Sequence, residues 1–351
     1  MKTILITGAT GFLGRHLVER LRREEPDASL RLLCRSASPW DGRPGIETMP
    51  GDVLSPEDVE RAVNGTDEIY HLAGVVQRQP HNVWGQYRVH VDGNRHVCEA
   101  MKKHPVDRAV FVSSSGTVAV SDKPVERNED AGYTHEYVGE WPYYLSKIFA
   151  EKLAFRYVEQ DKLPIVVVNP SLLLGPGDER RSSTRDVELF LRGQILAIPT
   201  GGLNLVDARD AATGAHLAMQ KGRAGERYLL GGVNWTFREW IQRVSQLSGK
   251  QGPKFSPSLP LALAGARALR GTMRLFGGSF DLDDASIKMS SMFWYCDSRK
   301  ARSELGFTTR DPMETLRDTI QDVRQRMNKK DPPSPAPDSS QWIVEKKRLP
   351  S

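Results

Sequence analysis

Short apolar runs alternate with amphipathic stretches through the first half of the chain. Lys2-Thr-Ile-Leu-Ile6 has the length and composition of a buried strand. From Arg15 to Arg23, Leu17, Val18 and Leu21 form one helical stripe. Leu30-Arg-Leu-Leu-Cys34 predicts a second strand, and Ile165-Val-Val-Val-Asn169 a further buried one. This alternation runs to about residue 175 and predicts an α/β fold with a parallel sheet wrapped by helices. Beyond it, the chain is expected to alternate between completing that sheet and building a smaller lobe. The expected division is 1–175 with parts of 205–235 for the sheet domain, 176–327 mainly for the lobe, and 328–351 for a tail. The tail is expected to be disordered, because Lys-Lys-Asp-Pro-Pro-Ser-Pro-Ala-Pro after Asn328 is polar and proline-rich.

The first strand runs into three glycines spaced by three, Gly8, Gly11 and Gly14, and then into the helical stripe. Gly8 and Gly11 allow a tight turn and close backbone approach to a pyrophosphate. Gly14 lets the helix pack on the sheet, and the helix N-terminus faces the phosphate charge. Strand, glycines and helix in this order predict a dinucleotide site. At the end of the second strand, NAD binders usually carry an acidic residue for the ribose 2′-hydroxyl. Here the chain reads Cys34-Arg35-Ser36. A guanidinium pairs with a 2′-phosphate through parallel hydrogen bonds, so Arg35 favours NADP(H) and leaves NAD(H) open.

Trp141-Pro-Tyr-Tyr-Leu-Ser-Lys147 places Tyr143 and Lys147 four apart, on one face of a helix. A lysine ammonium beside a phenol favours the phenolate, so the pair is expected to act as acid or base. Tyr144 points about 100° round the helix and is expected to pack.

With Gly51-Asp52-Val53, His71-Leu-Ala-Gly74, Ser113-Ser114-Ser115 and Asn169-Pro-Ser-Leu172, these motifs resemble the extended short-chain dehydrogenase/reductases. The resemblance is nearest to the dihydroflavonol-4-reductase-like branch, which includes 3β-hydroxysteroid dehydrogenase-like and hopanoid-associated epimerase-like proteins. It implies a doubly wound Rossmann sheet with a smaller C-terminal substrate-binding lobe. Thr10, Phe12 and Leu13 would join the three glycines around the cofactor. Asp52 would accept from the adenine, with Val53 packing nearby. Leu72, Ala73 and Gly74 would line the groove, and Pro170 and Ser171 would border the nicotinamide. Tyr143 would exchange a proton with the substrate oxygen, and Lys147 would lower its pKa and bond the nicotinamide ribose. Ser115 is expected to hold the same oxygen, with Ser114 as the alternative serine and Thr117 within reach.

Two places depart from the family pattern. His90-Val-Asp-Gly-Asn94 stands where the family carries Asn-Val-x-Gly-Thr, so His90 is either a hydrogen-bonding substitute or a packed side chain. Val206-Asp-Ala-Arg-Asp210 stands for Val-His-Val-Asp-Asp, which leaves Asp207 and Arg209 either to tune substrate choice or to form an ion pair.

The remaining features set the class. A chain of 351 residues holds one large α/β domain and a smaller lobe. Three cysteines without paired or metal-like spacing suit a reducing cytoplasm, and no metal is expected. No apolar stretch reaches the ~18 residues of a membrane span, and the N-terminal run reads as a strand, not a signal peptide. The net charge of +5 is dispersed, which argues against a nucleic-acid partner. Arginines in Asp178-Glu-Arg-Arg-Ser-Ser-Thr-Arg185 would either meet an anionic substrate group or be solvated. Residues 258–276 form a cationic amphipathic helix that either caps the lobe or touches anionic lipid.

The expected activity is hydride transfer between nicotinamide and a carbonyl carbon, acting on a fairly hydrophobic small molecule. Val75 to Trp84 and Leu172-Leu-Leu174 are expected to supply apolar walls. A nucleotide-sugar epimerase or dehydratase with internal redox of bound NAD is the second reading. A non-catalytic nucleotide-sensing regulator is the third, and a homodimer is expected.

Overall fold

The computed structural model describes residues 1–76, 83–275 and 283–328. The expected tail beyond residue 328, and 77–82 of the expected apolar wall, lie outside these.

In chain order the first strands are β1 (Thr3–Thr7), β2 (Ser29–Cys34), β3 (Ile46–Pro50), β4 (Glu68–His71), β5 (Arg108–Val112) and β6 (Ile165–Pro170). They are followed by β7 (Leu172–Leu174), β8 (Gly202–Asp207), β9 (Arg227–Leu230), β10 (Val233–Thr236) and β11 (Phe293–Trp294). The helices begin with α1 (Phe12–Glu24), α2 (Pro56–Val63), α3 (Val83–Tyr87), α4 (Gly93–Lys103), α5 (His135–Val138) and α6 (Pro142–Asp161). Then come α7 (Arg185–Leu191), α8 (Ala208–Lys221), α9 (Phe237–Ser248), α10 (Leu259–Leu275), α11 (Asp284–Ser290) and α12 (Pro312–Asn328).

Seven strands form one parallel sheet in the order β3-β2-β1-β4-β5-β6-β9. The chain leaves β1 to build one half of this sheet and returns beside β1 as β4 to build the other. That reversal opens a crevice beyond the carboxyl ends of β1 and β4, where doubly wound sheets bind ligands. Side chains alternate across the sheet as a period of two requires. Ile4, Ile6, Val166 and Val168 join α1 and α8 on one face. Leu5, Ile165 and Val167 join α2, α4 and α6 on the other. Both faces are covered, so the strands are apolar throughout. The expected α/β, doubly wound architecture is the observed one.

A smaller sheet is built on β8, with β10 antiparallel on one edge and β7 and β11 parallel on the other. Its core gathers Leu174, Leu203, Leu205 and Trp235 with Phe190, Trp240, Ile241, Leu316 and Ile320 from α7, α9 and α12. Leu172-Leu-Leu174, expected as a substrate wall, is instead β7 in register with Leu205-Val-Asp207, and Leu174 is buried. The reason is its register: three consecutive apolar residues pair with a fully buried strand.

Candidate active site

At the carboxyl end of β1 the backbone turns at Gly8 with φ +73°, and the amide of Gly11 donates to its carbonyl at 3.0 Å. A Cβ on Gly8 would lie 2.8 Å from the amide nitrogen of Ala73, and one on Gly14 only 2.2 Å from the Gly8 carbonyl oxygen. Only glycine permits this close turn. Helix α1 then starts with no side-chain cap on Gly11 and no acidic residue in its first turn. Its free amides remain available to an anion. Ala73 and Leu72 lie against this turn because their amides donate to the Thr7 hydroxyl and carbonyl, at 3.2 and 3.1 Å. Thr10 and Phe12 flank the turn half-buried, while Leu13 is buried under it.

The selector positions lie at the adjoining strand ends. Arg35 is exposed one residue past β2, and the Gly51 amide donates to Cys34 at 3.0 Å. Asp52 accepts from the Leu54 amide at 3.0 Å through one oxygen, and Val53 is buried. Pro170 ends β6. Ser171 beyond it is buried with its hydroxyl unpartnered among the described residues, an orphan that a polar ligand group would satisfy. An uncapped helix start, a turn closed to any Cβ and an orphaned hydroxyl together fit a dinucleotide.

Tyr143 and Lys147 lie on the first two turns of α6, which Pro142 opens. The Tyr143 hydroxyl is buried, and Ser114 is the side chain whose polarity favours its phenolate. Ser114 is thus the serine on the phenol, while Ser115, the first choice from sequence, is buried in the following tight turn. The Ser114 hydroxyl accepts from the Gly116 amide at 3.3 Å, which fixes its direction. Tyr144 packs, as its 100° offset predicts, with its ring 4.7 Å from that of Trp294. Gly116 makes room for it, since a Cβ there would lie 2.3 Å from the Tyr144 ring.

Both acid–base groups carry shifted pKa values. Burial raises Tyr143 to about 12, and Ser114 only partly opposes it. Burial lowers Lys147 to about 8, opposed by the negative charge of Glu151. The Lys147 ammonium donates to the Val112 carbonyl at 3.0 Å. Desolvation therefore outweighs the expected lowering of the phenol.

Sequence reasoning stopped at Lys147 and missed Glu151, although it continues the same four-residue spacing. Its carboxylate is fully buried and accepts from Ser113 at 2.6 Å, Thr117 at 3.2 Å and Asn169 at 2.9 Å. Arg227 on β9 supplies the counter-charge at 3.1 Å and lies over the Tyr133 ring at 4.5 Å. Asn169 also donates to the Ser114 carbonyl at 3.1 Å, and the single Thr117 hydroxyl proton lies between that carbonyl, at 2.9 Å, and the carboxylate. The buried carboxylate thereby holds the turn that aims Ser114.

His90 is both hydrogen-bonded and packed. The Val75 amide donates to its Nε2 at 3.1 Å, so the proton is on Nδ1, which donates to Ser146 at 2.7 Å. Ser146 donates in turn to the Tyr143 carbonyl at 2.8 Å. Burial, then the charge of Lys147, holds His90 well below its ordinary value, and its ring meets Tyr143 edge-on at 5.7 Å. The other departure is an ion-pair network. Asp207 is buried and binds Arg209 at 2.8 and 2.7 Å, and Arg310 binds Asp210 at 3.0 and 2.9 Å. In the neighbouring loop, Asp178 accepts from the amides of Ser182, Ser183 and Thr184 at 2.8–3.0 Å. Arg181 there faces Glu188 at 3.4 Å. The loop is tied to α1, where Arg15 forks onto Glu179 and His16 meets the Pro176 carbonyl at 3.0 Å.

Lys147 prefers its proton in the unfolded chain, at 10.5, over the folded one, at about 8. Folding therefore opposes protonation below about pH 8, and the penalty fades as pH rises from about 8 to 10.5. Lys147→Met is expected to melt higher than the parent at pH 7, with the difference in Tm shrinking towards pH 10; a constant difference would contradict the shift. Glu151→Ala leaves Arg227 buried without its partner and is expected to cost about 3–5 kcal/mol in denaturant unfolding, with Glu151→Gln costing less.

A match to the family described as NAD dependent epimerase/dehydratase covers residues 4–231. A Synechocystis sp. protein that carries the name dihydroflavonol 4-reductase is 31% identical over 325 residues, covering 90% of this chain and 92% of its own. Sterol demethylase protein B of Methylococcus capsulatus is 28% identical over 330 residues, covering 92% and 99%. Among solved structures, that of gox2253 superposes with a TM-score of 0.80 at 28% identity, covering 93% and 99%. The chain belongs to the NAD dependent epimerase/dehydratase family, within the extended short-chain dehydrogenase/reductases, and is an NAD(P)-dependent oxidoreductase.

Proposed function

We propose that the protein reduces a ketone on a fairly hydrophobic small molecule, with NADP(H) as the favoured cofactor. The observation that carries this reading is the burial of Tyr143 under the influence of Ser114, one helical turn from Lys147, whose ammonium lies 3.4 Å from where a Cβ on Gly74 would stand. NADPH, when bound, supplies the hydride to the carbonyl carbon. Ser114 and Tyr143 hold the carbonyl oxygen, and their hydroxyls stabilise the charge that develops on it. Tyr143 then gives its proton to that oxygen, which completes the alcohol. A phenol raised to about 12 is in its acid form at neutral pH, the form reduction requires. Lys147 carries the charge that stabilises the phenolate left behind, and would also bond the nicotinamide ribose.

The apolar character of the substrate is read from the wall next to Tyr143. Tyr144, Trp141 and Trp294 stack there with Met289 and Met292. The sterol-related name of one relative is in keeping with it. Arg35 is the residue assigned to the 2′-phosphate, and the absence of a carboxylate at Cys34-Arg35-Ser36 supports the choice. Buried, unpaired Cys34, Cys98 and Cys296 suit a cytoplasmic setting.

A homodimer belongs to the same reading. Trp84 (77% exposed), Phe149 (47%) and Val83 (38%) form one apolar patch with Tyr87, across α3 and the Tyr143 helix. Patches of this kind are commonly covered by a second subunit. Trp84→Glu with Phe149→Glu is expected to give a monomer by light scattering; an unchanged mass would remove this interface.

The decisive measurement starts from the purified protein, denatured to identify any released nucleotide by mass spectrometry and then titrated with NADPH and NADH. No retained nucleotide and tighter NADPH binding are expected, with the preference lost in Arg35→Ala. Retained NAD⁺ with little NADPH binding would favour internal redox, as in the epimerases. On a carbonyl panel, Tyr143→Phe is expected to lose at least about a hundredfold in kcat with cofactor binding unchanged. Ser114→Ala is expected to lose more than Ser115→Ala.

A further inference from the structure

Val75 stands four residues beyond the end of β4, past the pairing of that strand with β1 and β5. Both of its backbone groups are held all the same, by two side chains four residues apart. The Val75 amide donates to His90 Nε2 at 3.1 Å, and its carbonyl accepts from Gln86 Nε2 at 3.2 Å. Gln86 and His90 are both buried. The preceding residue is closed in as well: a Cβ on Gly74 would lie 3.3 Å from His90 Nε2 and 3.4 Å from Lys147 Nζ. Gly74 itself is exposed, so a ligand can reach its backbone.

His90 also reaches the helix that carries Tyr143. Its Nδ1 donates to Ser146 at 2.7 Å, and Ser146 donates to the Tyr143 carbonyl at 2.8 Å. One turn on, Asn94 donates to the Ala150 carbonyl at 3.1 Å. His90 and Asn94, four apart, thus meet Ser146 and Ala150, four apart, and hold the two helices in one register. A π-helical turn over Arg88–Asp92 carries His90, with the Gly93 amide donating to the Arg88 carbonyl five residues back. Such turns inside α-helices are frequent at functional positions.

We propose that Gln86 and His90 are positioning residues that tie the cofactor groove to the acid–base residue. One arm runs from both side chains to Val75 and fixes the Gly74–Val75 backbone where the nicotinamide ribose is placed. The other runs from His90 through Ser146 to the Tyr143 carbonyl and fixes where the phenol stands. His90 is the joint, because a single neutral ring bonds both arms. Hydride and proton reach the same carbonyl group, so the spacing between groove and phenol sets how well the two transfers match. A small misplacement there is costly to the rate. This role rests on the reductase reading given above.

The test compares Gln86→Leu, Ser146→Ala and His90→Phe in the full chain. Each is titrated with NADPH by fluorescence and assayed for kcat on a ketone that the parent reduces. Gln86→Leu is expected to raise the NADPH Kd about fivefold and to lower kcat by less. Ser146→Ala is expected to lower kcat about tenfold and to raise Kd by less. His90→Phe is expected to show both losses, and His90→Gln to recover one of them in part. Should His90→Phe fail to fold, the opposite splits of the other two variants still decide. A fall in Tm alone, or parallel losses of Kd and kcat in Gln86→Leu and Ser146→Ala, would overturn the proposal. NADPH binding needs no turnover, so an unchanged Kd in Gln86→Leu overturns the first arm by itself. Tyr143→Phe separates the two readings. If it keeps full turnover, the reductase reading fails; if it loses turnover while Ser146→Ala keeps it, only the positioning role fails.

Discussion

The burial of the Glu151 carboxylate is the constraint on which the rest of the site depends. A charge without exposed surface persists only if its lone pairs and its counter-charge are supplied from within. Here the donors come from the turn after β5 and from β6, and the cation comes from β9. Helix α6 is therefore fixed against three adjacent strands by one side chain. Lys147 and Tyr143 lie about one and two turns from it towards the N-terminus, and inherit that position. Ser114 inherits it from the other side, because Asn169 and Thr117 bind both its carbonyl and the same carboxylate. The geometry between phenol and serine is thus set below the site, out of reach of solvent and substrate.

The same burial fixes the resting protonation states. Desolvation acts on both members of the Tyr143–Lys147 pair and favours the neutral form of each. The phenol is therefore protonated at neutral pH, and the lysine keeps its charge by a reduced margin. His90 adds to this bias without titrating, because a backbone amide occupies the nitrogen that a proton would need. The site is buried at its centre, a setting in which charge developed on a reacting oxygen interacts strongly with fixed hydroxyls and with the Lys147 ammonium.

Much of this was legible from residue spacing. Apolar runs gave the sheet strands because both faces are covered, and three glycines marked a turn that tolerates no Cβ. What spacing could not reveal was direction. Ser114 and Ser115 are adjacent in sequence, and only the tight turn after β5 decides which hydroxyl reaches Tyr143. Glu151 was hidden for a different reason: a glutamate in a helix reads as solvated, and its partners are 18 to 76 residues away in the chain. Leu172-Leu-Leu174 looked like pocket lining because an apolar triplet carries no mark of the strand beside it. Asp207 and Arg209 form a buried ion pair because Asp318 and Arg310 arrive from α12 and the turn before it, over a hundred residues on.

The clasp between the 175–184 loop and α1 has a kinetic meaning. Arg15 and Glu179 are fork-paired across the mouth of the glycine turn, yet the Glu179 side chain is 61% exposed. An ion pair so open to solvent contributes only about 0–1 kcal/mol. The loop is therefore held in register by a contact that costs little to break, so it can part from α1 without loosening the buried core beneath it.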